Sequence, residues 1–309
     1  MTVIALLSRE PAIVSLLSKA FAETAPEFRI ALAGDDIASE AEVAVCWYPP
    51  AGSLSALPKL RMMHSIGAGV DHIENDPTRP VLPVCRVVDP AHRLGMVEYV
   101  RWAALHYHRS FNQALAQQRE LHWARPVQRP AGRYRIGVMG LGKLGAAVAA
   151  DLACAGYAVR GWARRQKAID SVDVFFGDEQ FAGFLDKLDL LVNLLPLTAQ
   201  TQGVLCAANF ARLAPGAAIV NCGRGAHMVA EDVLASLSSG QLGGALLDVF
   251  ETEPLPADDP LWTTPGVIVT PHMASVTVPS VIVQQIAENT RRLKNGRQLL
   301  NLVDPDSGY

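Results

Sequence analysis

The sequence predicts an α/β protein of two domains, each with a parallel sheet. Three observations carry that prediction. Short β-prone runs alternate with helical stretches from the first residues onward, the pattern of parallel strands covered by helices. A glycine fingerprint opens only near residue 135, after enough chain to form a domain of its own. The 309 residues, half of them hydrophobic, are long for one core and comfortable for two.

In the first region, residues 3–7, 28–33, 43–47, 61–66 and 84–88 are β-prone, and 12–22 has helical apolar spacing. The run at 61–66 leads into Ser65-Ile66-Gly67-Ala68-Gly69-Val70-Asp71. Such a glycine loop can aim backbone N–H groups at an anion, or serve as a plain turn. Residues 95–112, GMVEYVRWAALHYHRSFN, form an amphipathic crossover helix into the second domain. Residues 113–133, with Trp123, Pro126 and Pro130, read as a polar arm with an apolar anchor, fit to pack on a second subunit or to wrap its own domain.

The second domain opens on YRIGVMGLGKLGAAVAADLACAGYAVRGWARRQK at 134–167, a strand, a tight turn, an alanine-rich helix and a second strand. Gly140, Gly142 and Gly145 have the spacing GxGxxG in the strand–helix context that a Rossmann dinucleotide site requires. Gly140 would permit the turn, Gly142 the approach of a pyrophosphate, and Gly145 the close packing of helix on strand. The phosphates would sit at the helix N-terminus. An NAD site usually has an acidic residue about 20 positions further on, to bind the ribose 2′-hydroxyl. Here the second strand ends in Trp162-Ala163-Arg164-Arg165-Gln166-Lys167. No carboxylate repels a 2′-phosphate there, and two guanidiniums can pair with one, so the cofactor reads as NADP(H), with NAD(H) as the alternative.

Further strands are expected at 188–195, 217–221, 243–249 and 267–270, with helices at about 230–238 and 278–295. The last helix is stopped by Asn295-Gly296 and would return to the first domain. A net charge of −3 without blocks of like sign argues against nucleic-acid and anionic-membrane partners. The N-terminus lacks a basic region before its short apolar run, and no apolar run approaches the roughly 20 residues of a membrane span. Five scattered cysteines without CxxC fit a reducing cytoplasm. His106 and His108, two positions apart on a helix, face different sides, and no metal site is expected.

Three polar residues follow expected strands of the cofactor domain: Arg224, Glu253 and His272. Open α/β sheets build their sites at those carboxyl ends. Hydride transfer to a 2-keto acid needs a grip on the carboxylate, a polarised carbonyl and a proton. Arg224 can supply the first two with its rigid fork of donors. His272 can supply the proton, imidazole having an unperturbed pKa near 6.5. A neighbouring Glu253 would favour the imidazolium and fix its tautomer. Backbone N–H groups of Ala68, Gly69 and Val70 would add to the carboxylate grip.

The same residues carry a resemblance. NCGRG at 221–225, LDVFETEPLP at 247–256 and TPHMAS at 270–275 resemble the signature blocks of the D-isomer-specific 2-hydroxyacid dehydrogenases. HSIGAGVDHI at 64–73, GLGKLG at 140–145 and NLLPLTAQT at 193–201 agree in the same order. Within that family VCWYPP at 45–50, PLPADDPLWTTP at 254–265, GWARRQK and the C-terminal Gly308-Tyr309 are most similar to the glyoxylate/hydroxypyruvate reductase branch. Met228, Val229 and Ala230 depart from the family's usual pattern after the arginine, at a helix start.

The resemblance implies two Rossmann-like domains with a discontinuous substrate domain, 1–94 plus 275–309, around a dinucleotide domain at 95–274, in homodimers. It implies catalytic roles for Arg224, Glu253 and His272 and a substrate-lining role for Trp47. It gives Asp248 to the nicotinamide carboxamide and places further cofactor contacts at Gly140, Gly142, Lys143, Leu144, Gly145, Trp162, Arg164, Arg165, Leu195, Pro196, Cys222 and Ser275. Trp47, Trp262 and Met273 point to an apolar wall, which separates substrates differing by one methylene by only about 1–3 kcal/mol. Two other readings of the fold are a cofactor-sensing regulator and a dehydrogenase oxidising another small acid such as formate or phosphite.

Overall fold

The structure is a computed structural model that describes residues 1–74, 76–275 and 277–303. The Gly308-Tyr309 pair lies outside the described residues. The chain divides into two compact units, Met1–His92 with Thr277–Tyr309, and Arg93–Val276.

In the first unit the strands are β1 (Thr2–Ser8), β2 (Phe28–Leu32), β3 (Val43–Trp47), β4 (Met62–Ser65) and β5 (Val84–Cys85). They form a parallel sheet in the order β2-β1-β3-β4-β5. Helices cover parallel sheets on both faces, which is why β1 and β3 are almost wholly buried apolar runs. Helix α1 (Pro11–Thr24) starts on a proline, whose missing N–H costs nothing in a first turn, and buries Leu17, Ala20 and Phe21. A short α2 (Asp71–Glu74) follows the glycine loop. The last helix, Pro279–Lys294, buries Ile282, Val283, Ile286 and Ala287 in the same core as Ile4, Phe21 and Val43. It is therefore part of the first sheet's domain, which is discontinuous in sequence. Asn289 on that helix bonds the buried His64 ring of β4 at 3.2 Å, and burial holds His64 down to about 4, so it stays neutral.

The amphipathic pattern predicts a helix over 95–112; α3 starts earlier, in the last residues of the first unit, and runs from Pro90 to His108, and α4 (Phe111–Arg119) follows in the second unit. Pro90 suits a first helical position, and Ser110 breaks the run with a left-handed φ of 57°. The strands are β6 (Arg135–Met139), β7 (Ala158–Ala163), β8 (Asp173–Phe176), β9 (Leu190–Asn193), β10 (Ala217–Asn221), β11 (Leu242–Leu247) and β12 (Val267–Val269). They are parallel in the order β12-β11-β10-β9-β6-β7-β8. β8, an edge strand without buried residues, is not among the expected strands, because its apolar run Val174-Phe175-Phe176 is too short to separate strand from loop.

Alternate residues feed two cores, one on each face. Ile136, Val138, Leu190, Val192 and Val220 belong to one; Met139, Leu191, Ile219 and Leu247 belong to the other. Helices α5 (Lys143–Cys154), α6 (Phe181–Leu185), α7 (Ala207–Phe210) and α8 (Ala230–Ser238) complete the unit. Strand order reverses between β6 and β9, the switch point where doubly wound sheets bind ligands. Among the described residues no helix is long and apolar enough to cross a membrane, and no His/Cys/Asp/Glu group could hold a metal ion.

Candidate active site

At the switch point, the turn after β6 is a cradle that side chains would fill. Gly140 has φ +92°, and a Cβ on it would lie 2.7 Å from Leu194 O. A Cβ on Gly145 would lie 1.8 Å from Gly140 O, so α5 packs on the turn as closely as backbone allows. Gly142 is the N-cap of α5, and Lys143 and Leu144 form its first turn. These features fit a pyrophosphate at the helix N-terminus.

Arg164 and Arg165 are exposed immediately beyond β7. Lys167 Nζ donates to Leu141 O at 2.5 Å, tying the arginine loop to the glycine turn. A doubly negative 2′-phosphate fits this loop better than a hydroxyl does. The Trp162 indole, which the resemblance gave to the cofactor, is a core side chain: it donates to Gly177 O at 3.0 Å and packs edge-on against Phe181. Leu195 and Pro196 follow β9, and Cys222 follows β10. Burial first, and then the nearby Asp248 charge, push the Cys222 thiol well above its ordinary value, so it stays protonated.

Arg224, Glu253 and His272 lie beyond the ends of β10, β11 and β12, and the fold brings them together. Glu253 Oε2 accepts from His272 Nδ1 at 2.8 Å, and Glu253 Oε1 accepts from Phe250 N–H at 2.9 Å. Burial acts to raise the Glu253 carboxyl. The His272 hydrogen bond and charge, the Phe250 N–H and the Arg224 guanidinium outweigh it and hold the group below its ordinary value. Glu253 is therefore a carboxylate at neutral pH. It stabilises the fold there, and that contribution is lost only as pH falls through the depressed value. Gly225 seats the Arg224 loop directly on this one, since a Cβ on it would lie 1.9 Å from Phe250 C.

Asp248 orders the turn that carries His272. Its Oδ1 accepts from Thr270 Oγ1 at 2.6 Å and Met273 N–H at 2.8 Å, and its Oδ2 from Ala274 N–H at 2.9 Å. Its carbonyl accepts from His272 N–H at 2.9 Å. Burial raises the Asp248 carboxyl, against the lowering effect of these bonds and of His272. The chain continues outward, for Tyr99 OH on α3 bonds Thr270 Oγ1 at 2.7 Å. Such a clasp explains how His272 can keep φ +50°, a conformation unusual outside glycine. Ser275, at the end of the turn, lies close to Gly95 of α3, where a Cβ would come 3.1 Å from its Oγ. Trp262 and Met273 are about half exposed, and Trp262 Nε1 donates to Pro256 O at 2.8 Å.

Trp47, Ala68, Gly69 and Val70 belong to the first unit. Trp47 ends β3, donates Nε1–H to Glu10 Oε1 at 2.9 Å, and lies over Gly67, where a Cβ would come 3.2 Å from its ring. The loop is shaped by Ser65 Oγ, which accepts from Gly67 N–H at 3.1 Å and donates to Gly69 O at 2.7 Å.

Sequence reasoning missed Tyr99, Lys167, Asn193, Asn221 and His227 as structural supports of the site. The asparagines left a signal, because the apolar runs LLVN and AAIVN both end in Asn, and the two residues are register partners on β9 and β10.

Comparison with known proteins identifies the family. Residues 102–274 match the family model "D-isomer specific 2-hydroxyacid dehydrogenase, NAD binding domain". A glyoxylate/hydroxypyruvate reductase A of Serratia proteamaculans is 41% identical over 282 residues, covering 89% of this chain and 90% of that protein. A crystal structure of a D-isomer specific 2-hydroxyacid dehydrogenase family protein from Klebsiella pneumoniae 342 superposes with TM-score 0.94 at 45% identity, covering 98% of this chain and 97% of that one. The NADPH-dependent glyoxylate/hydroxypyruvate reductase of Sinorhizobium meliloti, solved with NADP and sulfate, superposes with TM-score 0.90 at 33% identity over the whole of both chains. A family model over more than half of the chain, together with 41% identity to a relative across 89% of this chain, shows that the chain belongs to the D-isomer specific 2-hydroxyacid dehydrogenase family.

Proposed function

We propose that the protein reduces small 2-keto acids, glyoxylate and hydroxypyruvate among them, to 2-hydroxy acids with NADPH, and that His272 donates the proton. The observation that carries this reading is the 2.8 Å bond between His272 Nδ1 and Glu253 Oε2 beside Arg224, at the carboxyl ends of the sheet that bears the glycine cradle. The names of the Serratia and Sinorhizobium relatives support the substrate class, and the bound NADP of the latter supports the cofactor.

NADPH, when bound, supplies the hydride. Gly140, Gly142 and Gly145 with the first turn of α5 would hold its pyrophosphate, and Arg164 and Arg165 its 2′-phosphate. Arg224 grips the substrate carboxylate and polarises the carbonyl with its fork of N–H donors. With Nδ1–H committed to Glu253, His272 carries its transferable proton on Nε2 and delivers it to the carbonyl oxygen as that oxygen gains negative charge. The Glu253 carboxylate stabilises the imidazolium that must be present before transfer. Kinetics of His272 variants test the assignment.

Two expected results follow for groups around the triad. Replacing Glu253 with Gln removes the carboxylate that accepts from His272 Nδ1 and fixes its tautomer, so kcat for keto-acid reduction falls about tenfold or more, the loss of one charge-assisted hydrogen bond. Steady-state kinetics of the variant measure this, and an unchanged kcat rejects the role. Replacing Arg164 and Arg165 with Ser raises the KM for NADPH by about 10²-fold, two charge-assisted contacts at about 1.5–3 kcal/mol each being partly replaced by water, and leaves that for NADH within about twofold. Equal effects on both cofactors would move the phosphate site elsewhere.

We also infer a homodimer in a reducing cytoplasm. Leu121, Trp123 and Val127, 95%, 98% and 88% exposed, leave the segment after α4 with apolar surface that a second copy would cover. The five cysteines are free thiols, as a reducing compartment keeps them. Sedimentation of the wild type at dimer mass, and of Trp123→Glu at lower mass, is the expected result.

A further inference from the structure

Between the ends of β9 and β10 lies a buried polar network that the reaction as described does not use. His227 is fully buried, as are Asn193 and Asn221. The network has one self-consistent arrangement of protons. Asn193 Oδ1 accepts from Leu195 N–H at 3.2 Å, so its amide nitrogen is the donor toward Asn221 Oδ1 and His227 Nδ1, each at 2.9 Å. Asn221 Oδ1 also accepts from Gly223 N–H at 3.2 Å, so its own amide nitrogen donates to Arg224 O at 3.1 Å. Arg224 N–H donates to His227 Nδ1 at 3.0 Å. His227 Nδ1 therefore faces two donors and must carry a lone pair. The ring proton sits on Nε2, which bonds Pro196 O at 3.2 Å.

The main chain of Arg224 is thus held at both polar groups, its N–H by the His227 ring and its C=O by the Asn221 amide and by the His227 N–H at 3.2 Å, a backbone bond that side-chain variants of His227 leave in place. Its Nη1 donates to Gly223 O at 2.8 Å. The space is closed around this arrangement, because a Cβ on Gly223 would lie 2.7 Å from His227 Nδ1 and 2.8 Å from Asn193 Nδ2.

We propose that His227 is a positioning residue for substrate binding: its Nδ1 lone pair holds the Arg224 backbone in the conformation from which the guanidinium grips the keto-acid carboxylate. The inference rests on the role given to Arg224 above. It assigns the neutral Nδ1 acceptor, and not the bulk of the ring, as the group that matters. When the acceptor is lost, the Arg224 loop spends only a fraction of its time in the competent conformation. The apparent affinity for substrate falls by that fraction, while turnover of the bound state persists.

The test uses the full-length protein with His227→Ala, His227→Asn and His227→Gln, assayed for glyoxylate reduction at saturating NADPH, with NADPH dissociation constants from nicotinamide fluorescence as an independent check that the cofactor site is saturated. Asparagine can offer an oxygen where Nδ1 stood; glutamine reaches the Nε2 position instead. The expected result is a KM for glyoxylate raised about tenfold in the Ala and Gln variants, with kcat within about threefold of wild type, and a KM restored to within about threefold of wild type by Asn. An Asn variant as impaired as Gln overturns the proposal, as does a fall in kcat without a rise in KM. If the Ala variant does not fold, the Asn–Gln comparison decides alone. Arg224→Gln separates the two levels of inference. If that variant keeps wild-type KM and kcat, the reading of the site fails. If it is impaired while the His227 series is flat, only the role of His227 fails.

Discussion

Substituting alanine for His272 lowers kcat for glyoxylate reduction by roughly 10²–10⁴-fold, the span that a positioned general acid contributes. The loss falls on kcat because the proton moves only as the carbonyl oxygen gains charge. The KM for NADPH stays near its wild-type value, because the glycine cradle and the arginine loop lie after β6 and β7, away from the His272 turn. The fold should survive. His272 is partly exposed, and the turn is clasped through its backbone and through Asp248 rather than through the imidazole. Steady-state kinetics on folded protein measure the effect, and near wild-type turnover would remove His272 from the reaction.

Replacing Arg224 with Gln lowers kcat/KM for keto acids by about 10²-fold or more. Truncating one member of a desolvated charge pair costs about 2–5 kcal/mol, and here the charge left behind is the substrate carboxylate. Lysine recovers only part of the loss, since an ammonium supplies charge without the planar fork that meets carboxylate and carbonyl together. Removing the guanidinium also takes away one of the charges that hold the Glu253 carboxyl down. The pH profile of the Arg224 variant should therefore change along with its KM. Unchanged kinetics across both substitutions would reject the grip.

Where chemistry is local the sequence was explicit. The glycine cradle was readable because its constraints fall on neighbours in the chain: Gly140 has a positive φ, and Gly145, six residues after the strand, meets Gly140 O. Arg224, Glu253 and His272 could be placed beyond strand ends because the runs before them, AAIVN, LGGALL and VIV, are almost wholly apolar and stop abruptly. The parallel sheets followed from alternation of strand and helix.

What stayed hidden depends on contacts between distant segments. No local pattern joins Asn193 to His227; they meet because β9 and β10 are adjacent in the sheet and end in register. The resemblance gave Trp162 to the cofactor, while its buried strand position turns the indole toward Phe181 and Gly177 O. Asp248 read as a nicotinamide ligand by resemblance. Its contacts with Thr270, Met273 and Ala274 came from the approach of β11 and β12. Strand β8 and the left-handed Ser110 between α3 and α4 are outcomes of tertiary packing on weakly patterned sequence.

The most direct measurement is the oxidation of NADPH by glyoxylate and by hydroxypyruvate with the wild-type protein, run in parallel with NADH. The account predicts saturable consumption of the reduced cofactor, one equivalent for each keto acid reduced, with a clearly lower KM for NADPH than for NADH. Protein that binds NADPH but oxidises it with no 2-keto acid would contradict it.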